Sequence, residues 1–293
     1  MKINKKYKDT VFRHLFNINK IWLLELVNAI LGTNYKDPEA IIIVTLDDVL
    51  FMNMKNDLCI IINDTIILIE HQSTINESMP VRMFLYLARI YERITNKEAK
   101  DLYGRRLIEL PNPELIMLYN GKEDYPAEKT LKLSASFKKR KVKRKGKKKI
   151  VDLEVKALNI NKGVNPELER KCKSLADYTS FIAKVREYEK QYSFEEAVKS
   201  AIEYCIDNDI LKEYLTDYAS EVINMLTAEF KLEDALEVAR WEGREEGIEK
   251  GIKKGMQKGI EKGKNYVLEL MAQGLSYEEI KKKVEKESKK KRK

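Results

Sequence analysis

The stretch Asn56-Asp57-Leu58-Cys59-Ile60-Ile61-Ile62-Asn63-Asp64-Thr65-Ile66-Ile67-Leu68-Ile69-Glu70-His71-Gln72 decides how the chain is read. Two apolar runs, 58–62 and 66–69, flank the turn-forming pair Asn63-Asp64, which is the pattern of a β-hairpin. With the turn centred on that pair, Ile62 faces Thr65 and each outward step keeps the pairing, so Asp57 faces Glu70. Facing Cβ atoms on such strands lie roughly 4.5–5.5 Å apart. Two carboxylates that close, at the ends of apolar strands, repel each other, and nothing in the hairpin offsets this. A divalent cation would, because Mg²⁺ takes hard oxygen ligands. Gln72, two residues beyond Glu70, falls on the same face. Asp57 and Glu70 are therefore candidate metal ligands, with Gln72 beside them.

The hairpin is apolar on both faces. Cys59, Ile61, Ile66 and Leu68 form one, and Leu58, Ile60, Ile62, Ile67 and Ile69 form the other. Strands of that kind need a covering layer above and below. Residues 9–16 carry Val11, Phe12, Leu15 and Phe16 at helical spacing, and a second helical run over 20–31 ends at Gly32. His14 reads as a packing or surface residue. Asp9 is either the N-cap of the first helix or a candidate third acid for the carboxylate pair. Residues 41–54 open as a strand. Residues 79–94 read as a helix with Pro80 near its first turn and Val81, Phe84, Leu85, Ala88 and Tyr91 as its apolar face. Arg82, Arg89 and Arg93 recur along it, either as a solvated face or as phosphate contacts near the open end of the hairpin. Residues 114–119 form a short strand ended by Asn120-Gly121. Residues 131–137 and 152–160 alternate as two further strands across a basic run. The order is that of a mixed α/β layer architecture. From residue 166 to 240 the pattern is helical throughout, with a Ser193-Phe194-Glu195-Glu196 capping box opening one helix.

The apolar fraction of 43% allows a large core, and no apolar run reaches membrane-spanning length. The N-terminal residues lack a signal-peptide pattern, which places the chain in the cytoplasm with no membrane partner. Cys59, Cys172 and Cys205 follow no Cys-x-x-Cys spacing and read as buried free thiols, and two histidines cannot build a His-rich zinc site. The net charge of +9 is unevenly placed. Residues 138–149 hold ten Lys/Arg among twelve positions, and residues 281–293 hold nine against two Glu, which leaves the body near −8. Affinity for a phosphate backbone would therefore reside on these appendages. Lys138, Lys139, Arg140, Lys141, Lys143 and Arg144 are the candidate DNA contacts of the first. A solubilising loop and a nuclear-import signal are the other readings of that run.

Gly243, Gly247, Gly251, Gly255, Gly259 and Gly263 recur at every fourth residue. Each Gly within a helix costs about 0.8–1 kcal/mol against Ala. Pairs such as Glu246–Lys250 return only about 0.2–0.5 kcal/mol each. Two readings follow: a charged linker, or a helix whose glycines let a second copy approach. Ser276-Tyr277-Glu278-Glu279 has a capping-box form and opens a last short helix.

Taken together, several stretches resemble the Rpn, or YhgA-like, family of recombination-promoting nucleases and transposases, within the PD-(D/E)XK nuclease superfamily. They are Asp9-x-x-Phe12-Arg13-x-x-Phe16, Lys55-Asn56-Asp57, Ile69-Glu70-His71-Gln72-Ser73, residues 82–91, Tyr119-Asn120-Gly121, and the glycine-repeat tail. The resemblance implies an α/β, restriction-endonuclease-like core of mixed sheet flanked by helices. That core would span residues 1–165 with a basic insertion at 138–149. An all-helical region would follow over 166–240, then a Gly-repeat tail over 241–293. It also implies Mg²⁺-dependent cleavage of DNA, with Asp57 and Glu70 as catalytic metal ligands. Gln72 stands where the superfamily usually has Lys, so it could orient water but not supply positive charge. The alternative is a weak or inactive nuclease fold that binds DNA, or an oligomeric scaffold working through the helical region or tail.

Overall fold

The computed structural model describes residues 11–44, 58–96, 105, 107–138 and 151–290. Six strands form one mixed sheet. They are β1 (Ile42–Ile43), β2 (Leu58–Ile62), β3 (Thr65–Gln72), β4 (Asn112–Tyr119), β5 (Glu128–Lys132) and β6 (Glu154–Asn159). Their spatial order is β1-β2-β3-β4-β6-β5, with β3, β4 and β6 mutually parallel and the outer pairings antiparallel.

The hairpin has the register expected from its turn, Ile62 opposite Thr65 through to Leu58 opposite Ile69. Asn63 takes φ 49°, the left-handed conformation that Asn tolerates better than most residues. The next step of the register falls on Asp57, which lies outside the described residues.

Both faces of the sheet are buried, as the two-sided apolar pattern requires. One packs under α3 (Met79–Asn96) through Cys59, Ile66, Leu68, Met117 and Tyr119. The other packs under α1 (Val11–Ile18), α2 (Lys20–Leu31), α5 (Lys173–Tyr188), α6 (Phe194–Asp207) and the start of α7 (Lys212–Ala272), through Leu58, Ile60, Ile67, Ile69 and Leu118. The short α4 (Pro166–Lys171) precedes α5. The α5 N-terminus is capped from a distant helix. The Glu25 carboxylate of α2 accepts from the backbone N–H of Lys173 at 2.7 Å and of Ser174 at 3.2 Å. Those are otherwise orphaned donors at the positive end of a helix.

The structure corrects two sequence expectations. The buried face of α3 is Met79, Met83, Tyr86, Leu87 and Ile90, whereas Phe84 is 40% exposed. Apolar residues cover more than half of this helix, so two neighbouring stripes have helical spacing, and the one through Met79, Met83, Tyr86, Leu87 and Ile90 is buried. Its rotation is set by Arg82, which reaches into the sheet, and by the Tyr91 hydroxyl donating to Pro111 O at 2.5 Å. The strand expected over 131–137 is β5, three residues earlier, and Leu133–Ser136 turns into a 3-10 helix pinned by Ser134 N–H on Asp152 Oδ1 at 2.9 Å. The glycine repeat is helical, lying inside α7.

The chain divides into two compact units, Met1–Glu229 and Phe230–Lys293. Within the second, α7 turns at Gly274, φ 79°, into α8 (Tyr277–Lys290), whose Glu279 carboxylate accepts from the Ser276 backbone N–H at 2.9 Å and from the Ser276 hydroxyl at 2.7 Å. No helix among the described residues is long and apolar enough to cross a membrane.

Candidate active site at the carboxyl end of the central strands

β3 ends as Glu70-His71-Gln72, and its alternation sends these side chains to opposite faces. Glu70 points to the α3 side and is only 1% exposed. A carboxylate buried that deeply needs charge compensation, and Arg82, on the first turns of α3, supplies it. The Arg82 Nη2 donates to Glu70 Oε2 at 2.9 Å and to the Tyr86 hydroxyl at 3.2 Å, while Nη1 reaches Gln72 Oε1 at 3.4 Å. The Gln72 amide in turn donates to Glu70 Oε2 at 3.4 Å and to His71 O at 3.0 Å. Carboxylate, guanidinium and amide thus form one network at the mouth of the strand. Arg82 thus pairs with a buried carboxylate, a role that neither the solvated-face nor the phosphate-contact reading gave it. Its guanidinium puts positive charge where Gln72 carries none.

His71 faces the other layer. Its ring stacks on Phe12 of α1 at 4.9 Å, and Nε2 lies 3.3 Å from the Tyr178 hydroxyl of α5. Burial, and then the nearby Arg186 charge, push its pKa down to about 4, so the ring is neutral at pH 7.

The same edge carries a second polar group that the sequence did not single out. Tyr119 pairs with both Gln72 and Asn159, and the chain leaves β4 through Asn120-Gly121. A Cβ on Gly121 would stand 2.1 Å from Ser73 O, so only glycine allows the exits of β3 and β4 to touch. Arg186 of α5 donates to Asn120 O at 2.6 Å and to Asn161 Oδ1 at 2.8 Å. Asn161 Nδ2 donates to Gly121 O at 3.1 Å and to Asn159 Oδ1 at 2.9 Å. These residues border a cleft of about 820 Å³. The Tyr119-Asn120-Gly121 turn was the available clue in the sequence. Its partners lie roughly 40 and 66 residues downstream, a separation that no local pattern encodes.

Of the other candidates, Arg89 is half-buried two turns beyond Arg82 on α3, and Lys138 is exposed after the 3-10 turn. Asp9, Asp57, Lys139, Arg140, Lys141, Lys143 and Arg144 lie outside the described residues. The described residues form no cluster of three or more His, Cys, Asp or Glu. Glu70 and Gln72 Oε1 offer hard oxygens suited to Mg²⁺. A complete ligand set would draw on Asp57.

A mixed α/β protein with a buried acid held at the carboxyl end of parallel strands belongs to a broad class in which that edge is the usual ligand-binding place. A family model described as "Putative transposase, YhgA-like" matches residues 61–212, just over half of the chain. The chain belongs to this family. No curated protein and no solved structure matches it significantly.

Proposed function

We propose that this chain is a Mg²⁺-dependent DNA endonuclease acting in recombination or transposition, on a restriction-endonuclease-like core. The observation that carries the reading is Glu70, a buried carboxylate at the strand end held between Arg82 and Gln72. When bound, the metal would lower the pKa of a coordinated water and neutralise charge on the phosphoryl oxygens. Glu70 and Asp57 would hold it. Gln72, as donor and acceptor, would orient the attacking water, and Asp9 is a candidate third acid. Arg82 would stand against the negative charge on the phosphoryl oxygens, and on the leaving oxygen as its bond to phosphorus breaks. The basic run at 138–149 would bind the DNA backbone.

The test is nicking of supercoiled plasmid by purified protein with Mg²⁺. Wild type should nick, and Glu70→Ala and Asp57→Ala should not. Equal rates in all three would refute the assignment.

One observation favours a second reading. Arg82 already neutralises Glu70, as a purely structural ion pair would. A chain of that kind would bind DNA without cutting it. Wild-type protein that binds plasmid but leaves it intact at every Mg²⁺ concentration would select this reading.

A further inference from the structure

The cleft beside Asn120-Gly121 has a half-buried cation whose bonding capacity is only partly used. A guanidinium carries five N–H donors. Among the described residues, Arg186 bonds two neutral oxygens, Asn120 O and Asn161 Oδ1, and no carboxylate lies within ion-pair distance of it. This differs from Arg82, which meets a carboxylate, and from Lys122, which meets Glu189 at 3.3 Å across the same cleft. Both neutral acceptors are themselves fixed, Asn161 by its two donated bonds and Asn120 by its backbone N–H on Gln72 O at 2.9 Å. The guanidinium is therefore aimed and held by groups that do not cancel its charge.

Its place relative to Glu70 is set by the sheet. Gln72, Tyr119 and Asn159 sit side by side at the ends of β3, β4 and β6. Two strand spacings separate the first from the last, about 10 Å. A strand that passes the Glu70 centre can cross that distance within a few nucleotides, because its backbone carries one phosphate per nucleotide. Glu123, Asp124 and Glu189 also line the cleft, so it is not a general sink for anions. A singly charged phosphodiester suits that rim better than a doubly charged phosphate ion.

We infer that the Arg186 cleft is a subsite for one backbone phosphate of the nucleic-acid strand that passes the Glu70 centre, with Arg186 as a positioning residue. This rests on the proposal that the chain acts on DNA, but not on its cutting it.

The experiment is fluorescence anisotropy of a short labelled DNA strand with the full chain in Ca²⁺ buffer, over a series of KCl concentrations. Inorganic phosphate serves as competitor. Arg186→Gln should raise Kd about tenfold, the usual weight of one charge-assisted bond. It should also reduce the slope of log K against log salt by about 0.7, the share of one phosphate contact on a single strand. Val164, 37% exposed, lines the cleft without bonding Arg186, so Val164→Trp fills it at little risk to folding. That variant should reproduce both changes, and millimolar phosphate should compete only weakly. Wild type that does not bind the strand, or Val164→Trp with unchanged Kd and slope, overturns the inference, even where Arg186→Gln fails to fold. Plasmid nicking separates the two proposals. A wild type that does not nick, but binds through Arg186, keeps the subsite and loses the nuclease. A wild type that nicks while both variants bind normally does the reverse.

Discussion

The Arg82 guanidinium lies 2.9 Å from Glu70 Oε2, and the carboxylate it meets is almost wholly withdrawn from water. Removing one member of such a pair strands the other, which is why breaking a buried pair costs far more than the pair contributes. Arg82 is about a quarter exposed, so solvent softens the loss. Arg82→Ala should destabilise the fold by about 2–3 kcal/mol in urea unfolding. Arg82→Met with Glu70→Gln should cost less than the two single changes summed. A loss below about 0.5 kcal/mol for Arg82→Ala would mean that the pair is not coupled in solution.

If Arg82 provides the positive charge that Gln72 lacks, moving that charge should be tolerated. Arg82→Ala should slow plasmid nicking about 100-fold, comparable to losing one electrostatic donor at a reacting centre. Adding Gln72→Lys to that variant should recover part of the rate. Failure of the lysine to recover any rate, in a variant that still folds, would place Arg82 outside the chemistry.

The three thiols make an alkaline prediction. Burial raises Cys59 and Cys172 to about 12 and Cys205 to about 11, against an ordinary value of 9.0. Between those limits the unfolded chain has lost protons that the folded chain keeps, so rising pH favours unfolding. Stability from this source is full below about pH 9 and falls through the window up to about pH 12, by at most about 1.4 kcal/mol per pH unit for each thiol. Urea midpoints measured from pH 8 upward should decline, and Cys172→Ala should flatten the decline. An aromatic disulfide reagent at neutral pH should label the thiols only as the protein unfolds.

The tail glycines meet nothing. A Cβ at Gly243, Gly247, Gly251, Gly255, Gly259 or Gly263 has open space around it. Alanine at three of these positions should therefore stabilise the local helix by about 0.8–1 kcal/mol each and slow amide exchange across residues 243–263. Ile248, Ile252, Met256 and Ile260 lie exposed one residue beyond four of the glycines. If copies of the chain meet along this line, the same alanines should lower the sedimentation coefficient instead of only slowing exchange.

The hairpin was legible because two rules agreed there. The turn fixed the register, and alternation assigned every residue to the face it occupies, Cys59 and Leu68 to one core and Ile60 and Ile67 to the other. Glu70 and Gln72 were legible for the same reason. The face of α3 was not, because its apolar arc is wide enough for two stripes at helical spacing, and contacts far away in the chain decide which one is buried. Nor was the Arg186 cluster, since its contacts join loops and helices far apart in the chain. The site visible in the sequence was the part carried by one strand pair, and the part hidden was everything delivered across the sheet.

The end of β3 is gripped from both sides. Arg82 of α3 holds Glu70 from one layer, while Phe12 of α1 and Tyr178 of α5 hold His71 from the other. Adjacent residues of one strand are thus fastened to helices that share no core. Fraying of α1, a short segment near one end of the chain, would remove the Phe12 stack and leave Tyr178 alone on that side of His71, loosening the strand end although no atom of that helix need touch the acid. The precision of the carboxylate is then governed by the opening free energy of the less stable layer.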